Sequence, residues 1–484
     1  MRLHAGGGCE LLGMGNGEEG RVRRGKGKRE TGRVSTARAV GSLVLGATLL
    51  LAGSAHSQDV PARLTLDDAL RLGREWNPQY RQAVVQADAT GADVRAAAGA
   101  FFPDLRVSLG FNGSRSVTST GQDDFGGNIN IDQSRTIETS SSSQGLNSSI
   151  TLFNGLQNFY GLKSSKAGSE AAHYGVDAQA VTLDAQIKTR FYQVVAALRS
   201  IEIEQQVLQI RQEDLNTTER LFRVAARTQS DVLGAQATLA TQEQQVARAQ
   251  GDYRKRLLEL AESIGFDESV EFEVAGEFPA AFDPALLDAA TLIDYVLREN
   301  PELQGASASA AQADYNASSA RGARWPTLSL SGGFNRSASQ QGYGGLWNFN
   351  PENQNWQAGL NLSWPIFNRF NTANSIAQAA ANQEVQHEQL RQTRLRLERE
   401  IRSALIDVEN FHEQLLLAQR SADLGLQRVA MTREQYQLGM TTFLELQQVV
   451  AQSVNDARGA LNARLAYTNA VVELERLVGR PVRP

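Results

Sequence analysis

The sequence predicts a mainly α-helical protein with a β portion, built as a tandem duplication of a strand hairpin followed by a long coiled-coil helical hairpin. The first observation is an apolar residue at every seventh position, in two ladders that align at an offset of 214: Ala180, Ile187, Val194, Ile201, Leu208, Leu215 and Phe222, then Ile401, Val408, Leu415, Ala422, Val429 and Tyr436. A repeat of 7 rather than 7.2 residues requires a left-handed supercoil, so each ladder indicates a long helix packed against neighbours. The second observation is alternation of apolar and polar residues in two stretches of each half, which is the period of a strand.

The third observation is a set of motifs that recurs at a single offset of 223. The pairs are Asn77-Pro78 with Asn300-Pro301, Phe102-Pro103 with Trp325-Pro326, and Gly110-Phe111-Asn112 with Gly333-Phe334-Asn335. Three motifs at one offset indicate internal duplication. We therefore expect a first structural repeat over residues 58–265, an acidic connecting segment of the equatorial region over 266–287, and a second repeat over 288–484.

Residues 1–57 are predicted to be a signal peptide with an overlong leader, outside the fold. The apolar run 40–52 follows a basic stretch and precedes Ala55-His56-Ser57, where small residues occupy the −3 and −1 positions of a cleavage site. The mean hydropathy is −0.34, and the absence of any apolar run of 18 residues excludes a transmembrane helix. The chain is therefore expected to be secreted.

Composition excludes several function classes. The chain has 48 Lys and Arg against 53 Asp and Glu, and nine of the basic residues lie in the leader, which argues against a nucleic-acid partner. The single cysteine, Cys9, also lies there, so disulfides, thiol catalysis and thiolate metal sites are excluded from the mature chain. His173, His387 and His412 are isolated on helical segments. We expect no enzyme activity, no metal and no cofactor.

Each repeat is expected to begin with an Ala-rich helix that is broken before its Asn-Pro proline, since the residue before proline disfavours the α region. A strand of about ten residues follows, then a polar loop (113–145 or 336–355), a returning strand and the long helix. The long helices should run from about Gly155 to Phe222 and from Arg369 to Tyr436, which is roughly 100 Å at 1.5 Å per residue. After a turn, a shorter helix should run to Gly265 or Gly479.

Strands of this length suffice to cross a bilayer at a tilt. Alternation alone also fits a soluble four-stranded sheet, but the signal peptide, the polar second face and the aromatic residues at the strand ends favour a membrane barrel. The residues predicted to face lipid are Leu105, Leu109, Leu330 and Leu362. Four strands cannot close a barrel, and an open edge in lipid leaves backbone groups without partners, so several copies must share one.

This arrangement resembles the TolC family of outer-membrane efflux proteins. The residues that carry the resemblance are the paired Asn-Pro and aromatic-Pro motifs, Leu152-Phe153-Asn154-Gly155 with Pro365-Ile366-Phe367-Asn368, and Tyr436-x-x-Gly439 ahead of Leu444-Glu445-Leu446. The resemblance implies a homotrimer with a shared β-barrel in the outer membrane and an α-helical tunnel in the periplasm. It also implies a passive conduit for efflux or type I secretion that works with a periplasmic adaptor protein and an inner-membrane pump or ABC transporter. The alternative is a trimeric coiled-coil surface or structural envelope protein without transport activity, and the sequence leaves the cargo open.

The resemblance further implies a periplasmic gate at the turns between the helices. Its residues in this chain would be Ser230, Asp231, Tyr436, Thr441, Glu445 and Gln448. We expect a hydrogen bond from Tyr436 to Asp231, although Asp231 fits equally well as a cap of the helix that it opens. Thr441 stands where the family has an arginine, which predicts a weaker link, and Glu445 and Gln448 occupy two positions that are acidic in the family.

Overall fold

A computed structural model describes residues 61–119, 134–266, 272–342 and 353–482, so the predicted signal peptide lies outside the described residues. These residues form a single unit of eight helices, with one four-stranded sheet and one two-stranded sheet. In chain order the elements are β1 (Arg63–Leu64), α1 (Leu66–Trp76), α2 (Pro78–Gly99), β2 (Asp104–Ser119), β3 (Ser134–Phe153), α3 (Gln157–Arg223), α4 (Gln229–Ile264), β4 (Glu273–Val274), α5 (Ala289–Glu299), α6 (Pro301–Gly322), β5 (Thr327–Gln341), β6 (Asn353–Ser363), α7 (Asn371–Gln437) and α8 (Phe443–Val478).

The helices of the two halves match in length, with 67 residues in α3 and α7 and 36 in α4 and α8. Equivalent positions differ in number by 223 up to β2 and β5, and by 214 from the ends of the hairpins onward. The second hairpin is therefore shorter than the first by nine positions. The helices begin and end within two residues of the boundaries that the heptad ladders predict.

Two asparagines hold α2 and α6 to the ends of α4 and α8. The side-chain oxygen of Asn77 accepts hydrogen bonds from the first turn of α2 at 2.9 and 3.0 Å, and its amide donates to the carbonyl of Ser263 at 2.8 Å. Asn300 repeats both contacts, capping α6 and donating to the carbonyl of Leu477 at 3.0 Å. Each Asn-Pro motif is thus a helix cap and a tether, which explains why both halves keep it.

The connecting segment takes part in the core. β4 pairs in parallel with β1, and Phe266, Phe272 and Val274 are buried in a cluster that includes Phe191 of α3. Its remaining described residues include a short 3-10 turn at Pro284–Leu286. The sequence predicts only an acidic connecting segment there, and the structure adds the pairing of β4 with β1.

The four-stranded sheet is antiparallel, in the order β2-β3-β5-β6, with strands of 16, 20, 15 and 11 residues. The prediction of ten-residue strands joined by loops over 113–145 and 336–355 is wrong for both loops, since much of each is strand; only 120–133 and 343–352 fall outside the described residues. Ser-, Thr- and Gly-rich composition indicates a loop, but ladder hydrogen bonds use the backbone, and strand formation depends on the neighbouring strands.

The register places most of the apolar residues of the four strands on one face, with Ile137 on the other. A continuous row crosses the sheet through Val107, Leu146, Phe334 and Trp356, each directly opposite the next. The four leucines predicted to face lipid lie on this same face and are exposed: Leu105 72%, Leu109 65%, Leu330 43% and Leu362 67%. Within the described residues, β2 and β6 each pair along one edge only, so the sheet of a single chain is open.

None of the described helices combines the length and the hydropathy that a bilayer span requires.

We predict that Asn300→Ala lowers the free energy of unfolding by about 2 kcal/mol or more. The cap contributes about 1 kcal/mol, and the buried carbonyl of Leu477, left without its donor, adds about 1 to 3 kcal/mol. The matched control is Asp288→Ala, because Asp288 caps α5 through exposed hydrogen bonds to the helix's own first turn. Denaturant unfolding of the detergent-purified protein measures both, and equal losses for the two variants would contradict the tether.

Candidate functional site

The predicted gate residues lie at the two turns between the long and short helices, and the structure packs these turns side by side. Each turn reverses at a residue with positive φ, Ala225 at 58° in the first half and Gly439 at 75° in the second. Phe443, the first residue of α8, joins them, because it packs against Val232 of α4 and against Tyr436 of α7. The site is therefore a contact between the first and second halves of one chain.

Tyr436 is buried, with 1% of its surface exposed, and its hydroxyl lies 2.9 Å from Oγ1 of Thr218 on α3. The Thr218 hydroxyl donates to the carbonyl of Asp214 at 2.8 Å, which uses its single hydrogen, so the phenol of Tyr436 is the donor. Burial raises the pKa of Tyr436 above its ordinary value, and the phenol stays protonated as this bond requires. The bond ties α7 to α3.

The predicted hydrogen bond from Tyr436 to Asp231 is wrong. The Asp231 carboxylate accepts from the backbone N–H and the hydroxyl of Thr228 at 3.1 and 3.0 Å, and the Thr228 hydroxyl accepts from the Asp231 N–H at 3.2 Å. This reciprocal pattern is a capping box at the start of α4. Of the two readings of Asp231, the structure supports the helix cap.

Arg227 supplies the guanidinium that the sequence does not place at Thr441. It donates to the carbonyl of Thr441 at 2.7 Å and to the carbonyl of Tyr436 at 3.2 Å. Its Cζ atom also lies 4.2 Å from the centre of the Tyr436 ring, a cation-π geometry. Arg227, in the turn of the first half, therefore binds the backbone carbonyls on both sides of Gly439, where the turn of the second half reverses.

Three of the other predicted residues, Thr441, Glu445 and Gln448, lie at the α7–α8 turn. Thr441 is buried, and its hydroxyl donates to the carboxylate of Glu445. The backbone N–H of Glu445 donates to the hydroxyl of Thr442, which caps α8. Glu445 and Gln448 are exposed and border one surface groove, and Ser230 is exposed in the first turn of α4. The structure brings Glu445 and Gln448 together and leaves Ser230 on the other turn.

An ion pair that the sequence analysis missed lies on the long-helix side of Tyr436. Arg433 of α7 donates to the Asp214 carboxylate from Nε at 3.2 Å and from Nη2 at 3.0 Å, and to the carbonyl of Ile210 at 3.0 Å. The Asp214 side chain is 6% exposed, whereas Glu213, 3.4 Å from Arg433, is 63% exposed. Asp214 is thus the buried partner of this pair.

The second oxygen of Asp214, Oδ2, is buried without a hydrogen-bond partner and adjoins a cavity of about 50 Å³ that Thr217 and Tyr436 also line. Burial raises the pKa of the Asp214 carboxyl above its ordinary value, and the attraction of Arg433 only partly offsets this. The carboxylate is therefore held in an environment that favours its protonated form.

The contacts of this site are hydrogen bonds, an ion pair and a cation-π contact between the two halves of the chain. Among the described residues no group of His, Cys, Asp and Glu could hold a metal ion. Thr218, Asp214, Arg227 and Arg433 are the contacts that sequence reasoning missed. The internal repeat could have indicated one of them, because Arg227 and Thr441, whose numbers differ by 214, occupy the same position of the two halves.

The sequence profile of the family described as "Outer membrane efflux protein" matches residues 70–266 and 292–480, which is most of the chain and both halves of the duplication. This chain belongs to the outer membrane efflux protein family. The resemblance to the TolC family is therefore confirmed, together with the outer membrane as location and efflux as function. Family membership supports this function over that of a structural envelope protein without transport.

Individual relatives are distant in sequence and close in fold. The chain is 25% identical over 342 residues to protein CyaE of Bordetella pertussis, covering 69% of this chain and 66% of CyaE. It is 23% identical to the pyoverdine export outer membrane protein OpmQ of Pseudomonas aeruginosa, covering 83% of this chain and 80% of OpmQ. Among solved structures, the Campylobacter jejuni CmeC outer membrane channel superposes with a TM-score of 0.71 at 18% identity, covering 87% of each chain.

We predict that Tyr436→Phe and Thr218→Val each lower the free energy of unfolding by about 0.5 to 1.5 kcal/mol, and that the double variant loses about 1 kcal/mol less than the two losses added together. The reason is that one hydrogen bond joins the two side chains. Combining Tyr436→Phe with Asp231→Asn should instead be additive within about 0.5 kcal/mol. Denaturant unfolding supplies both cycles, and coupling to Asp231 instead of Thr218 would contradict the observed pairing.

The raised pKa of Asp214 predicts a pH dependence with a definite sign. A carboxyl whose folded pKa lies above its unfolded value of 3.8 contributes stability that is full below that value and is lost as pH rises through the folded pKa. The unfolding temperature of the wild type minus that of Asp214→Asn should therefore fall as pH rises from about 4 to about 7.

The control for this measurement is Asp288→Asn. Hydrogen bonds from Thr291 lower the pKa of Asp288, so its contribution is present above the ordinary pKa and is lost as pH falls. The two difference curves should slope in opposite directions. A curve for Asp214→Asn that is flat, or that rises with pH, would show that Arg433 outweighs burial.

Proposed function

We propose that three copies of this chain form one passive channel, with the four-stranded sheets joined into a shared β-barrel in the outer membrane and the long helices forming a periplasmic tunnel. The observation that carries the proposal is the apolar row of Val107, Leu146, Phe334 and Trp356, which crosses all four strands, while both edges of the sheet are open among the described residues. In lipid, each backbone group without a partner costs several kcal/mol, so the edges of one copy need those of another.

The exposure of this face supports lipid as its environment. Trp356 is 77% exposed, Leu105 72% and Val107 70%. Val107 and Trp356 end one apolar row, and Leu105 lies beside Val107 on the same face. A water-facing sheet in a soluble protein rarely shows so large a contiguous apolar patch. The opposite face carries Ser329 and Asn361, which are polar and suited to a water-filled lumen.

The long helices support a conduit that reaches an inner-membrane transporter. At 67 residues, α3 and α7 extend about 100 Å at 1.5 Å per residue. We therefore propose a periplasmic adaptor protein and an inner-membrane pump or ABC transporter as partners, which deliver the cargo to the tunnel. OpmQ, a relative by sequence, is named for pyoverdine export, in keeping with such a role.

We infer that the turns between the helices form the gate of the tunnel. Release of the α7–α8 hairpin from α3 would break the contacts of Tyr436, Arg227 and Arg433, so these hold the resting state. Thr441 contributes its carbonyl, while the capping box of Thr228 and Asp231 fixes the start of α4 beside it, with Ser230 exposed in that first turn. Three exposed Glu445 carboxylates, each beside Gln448, would concentrate negative charge at the tip and favour cations.

We predict that Leu330→Arg reduces the yield of assembled trimer in the outer membrane, because arginine on the lipid face near the bilayer midplane costs about 2 to 4 kcal/mol. The matched control is Ser329→Arg, its neighbour on the opposite face, which should assemble normally and change the single-channel conductance in planar bilayers. Equal assembly of the two variants, or a protein that forms no channel at all, would contradict the proposed barrel.

A further inference from the structure

We propose that Asp214 is a proton switch in the gate. The packed state, in which α7 lies against α3, takes up a proton at this carboxyl, so acid closes the tunnel and a rise in pH favours its opening. The inference rests on the proposed gate and goes beyond it by naming the titrating residue, the proton as its ligand and the direction of the response.

Arg433 binds only one oxygen of Asp214. Its Nε and Nη2 donate to Oδ1 at 3.2 and 3.0 Å, and its Nη1 lies 3.4 Å from the carboxylate of Glu213. A guanidinium that binds a carboxylate bidentately places one donor on each oxygen. Here the guanidinium is shared with an exposed neighbour, so Oδ2 of Asp214 gains no hydrogen bond from it.

The other groups around Asp214 have partners of their own or carry no charge. Arg211 of α3 donates to the side-chain oxygen of Gln447 on α8, and Arg227 donates to two backbone carbonyls. At the cavity beside Asp214, α8 contributes the apolar side chain of Leu446. In the part of the chain that the structure describes, Oδ2 therefore has no hydrogen-bond partner, although it is buried.

The cavity beside Oδ2 does not hydrate an ionised carboxylate as bulk water does. It measures about 50 Å³, has room for a water molecule and is lined by Tyr436, whose phenol donates to Thr218. A charge in such a place costs free energy that the neutral acid avoids. Burial consequently raises the pKa of Asp214 above its ordinary value of 3.8, and the attraction of Arg433 and Arg211 offsets this only in part.

Opening changes the surroundings of this carboxyl. Arg433, Tyr436 and Leu446 leave with the α7–α8 hairpin, whereas Asp214 stays on α3 and meets water. Its pKa then returns towards the ordinary value, so the open state holds the proton less tightly than the packed state does. The ratio of open to packed states therefore rises with pH, by up to about tenfold per pH unit for each carboxyl that titrates, and falls in acid.

Glu445 at the tip gives a response of the same sign for a different reason. Three ionised Glu445 side chains repel one another, which also favours opening as pH rises. These side chains are exposed, so in about 1 M salt, where the Debye length is about 3 Å, their repulsion is largely screened. The buried carboxyl of Asp214 is screened much less, so its response should persist in high salt.

The test is the conductance of the protein in planar bilayers in about 1 M KCl, measured as pH rises from about 4 to about 7. The wild type should pass from a low to a high conductance. Asp214→Asn keeps an oxygen for Arg433 and is neutral at every pH, so it should stay at the low conductance throughout. The matched control is Glu213→Gln, because Glu213 also faces Arg433 but is 63% exposed, and this variant should respond as the wild type does.

Glu445→Gln should also keep the response at this salt concentration, which separates Asp214 from the tip. A wild-type conductance that is constant or falls as pH rises overturns the switch without any variant. A wild-type response in assembled Asp214→Asn, or loss of the response in Glu445→Gln, overturns it as well. These outcomes leave the proposed channel intact, whereas a protein that forms no channel at any pH overturns the proposed function itself.

Discussion

The packing of α3 against the second half of the chain is the interaction on which the rest of the structure depends. α3 contacts α6 and α8 of the second half as well as α2 and α4 of its own. Its heptad residues Ile187 and Val194 are fully buried, as are Ile401, Val408 and Leu415 of the equivalent ladder on α7. Because burying an aliphatic side chain contributes about 1.5 to 3 kcal/mol, these ladders hold the helices together along their length.

Buried carboxylates set the register of that packing. Glu475 of α8 pairs with Lys188 of α3 at 2.8 Å, Glu204 of α3 pairs with Arg458 of α8 at 2.7 Å, and Asp214 pairs with Arg433. Each of the three carboxylate side chains is at most 6% exposed. Such pairs add little net stability, since desolvation offsets their attraction, but leaving one partner alone costs about 3 to 5 kcal/mol. Sliding α3 along the second half would break all three at once, so they specify one alignment.

These ion pairs belong to the interior of one chain and not to the repeat. The equivalents of Lys188 and Glu475 are Arg402 and Ala261, and the equivalent of Glu204 is Ala418. The equivalents of Asp214 and Arg433 are Arg428 and Glu219, with the two charges exchanged. The three ion pairs are therefore not repeated as they stand, whereas the two hairpins share one register wherever both ladders are described. Ladder hydrogen bonds join backbone groups that almost every residue carries, so the strand register can be kept while the side chains of an ion pair change.

The sequence predicts those features of the fold that a short-range residue pattern determines. Heptads located the long helices, the two Asn-Pro motifs marked the breaks between the shorter ones, and alternation placed Leu105 and Leu362 on the face they occupy. The strand lengths were missed, because serine and glycine runs indicate loops unless the pairing strand is known. The partner of Tyr436 was missed for a similar reason, since Thr218 lies on another helix and no sequence spacing points to it.

At residue 441 this chain has threonine where the family has an arginine, yet the two turns are still joined there by a hydrogen bond from Arg227. The absence of a side chain from a family position therefore does not mean that the contact is absent. The expectation of a looser turn considered only what the residue at 441 could donate. In the structure the guanidinium comes from Arg227, the same position of the other repeat, and its acceptor is the backbone carbonyl of Thr441. A backbone acceptor is present whatever residue stands there, so the duplication allows the donor to move from one half to the other while the two turns stay joined. The strength of this joint is therefore determined by Arg227 and by the burial of Tyr436 beneath it, and the identity of residue 441 matters mainly through its contact with Glu445.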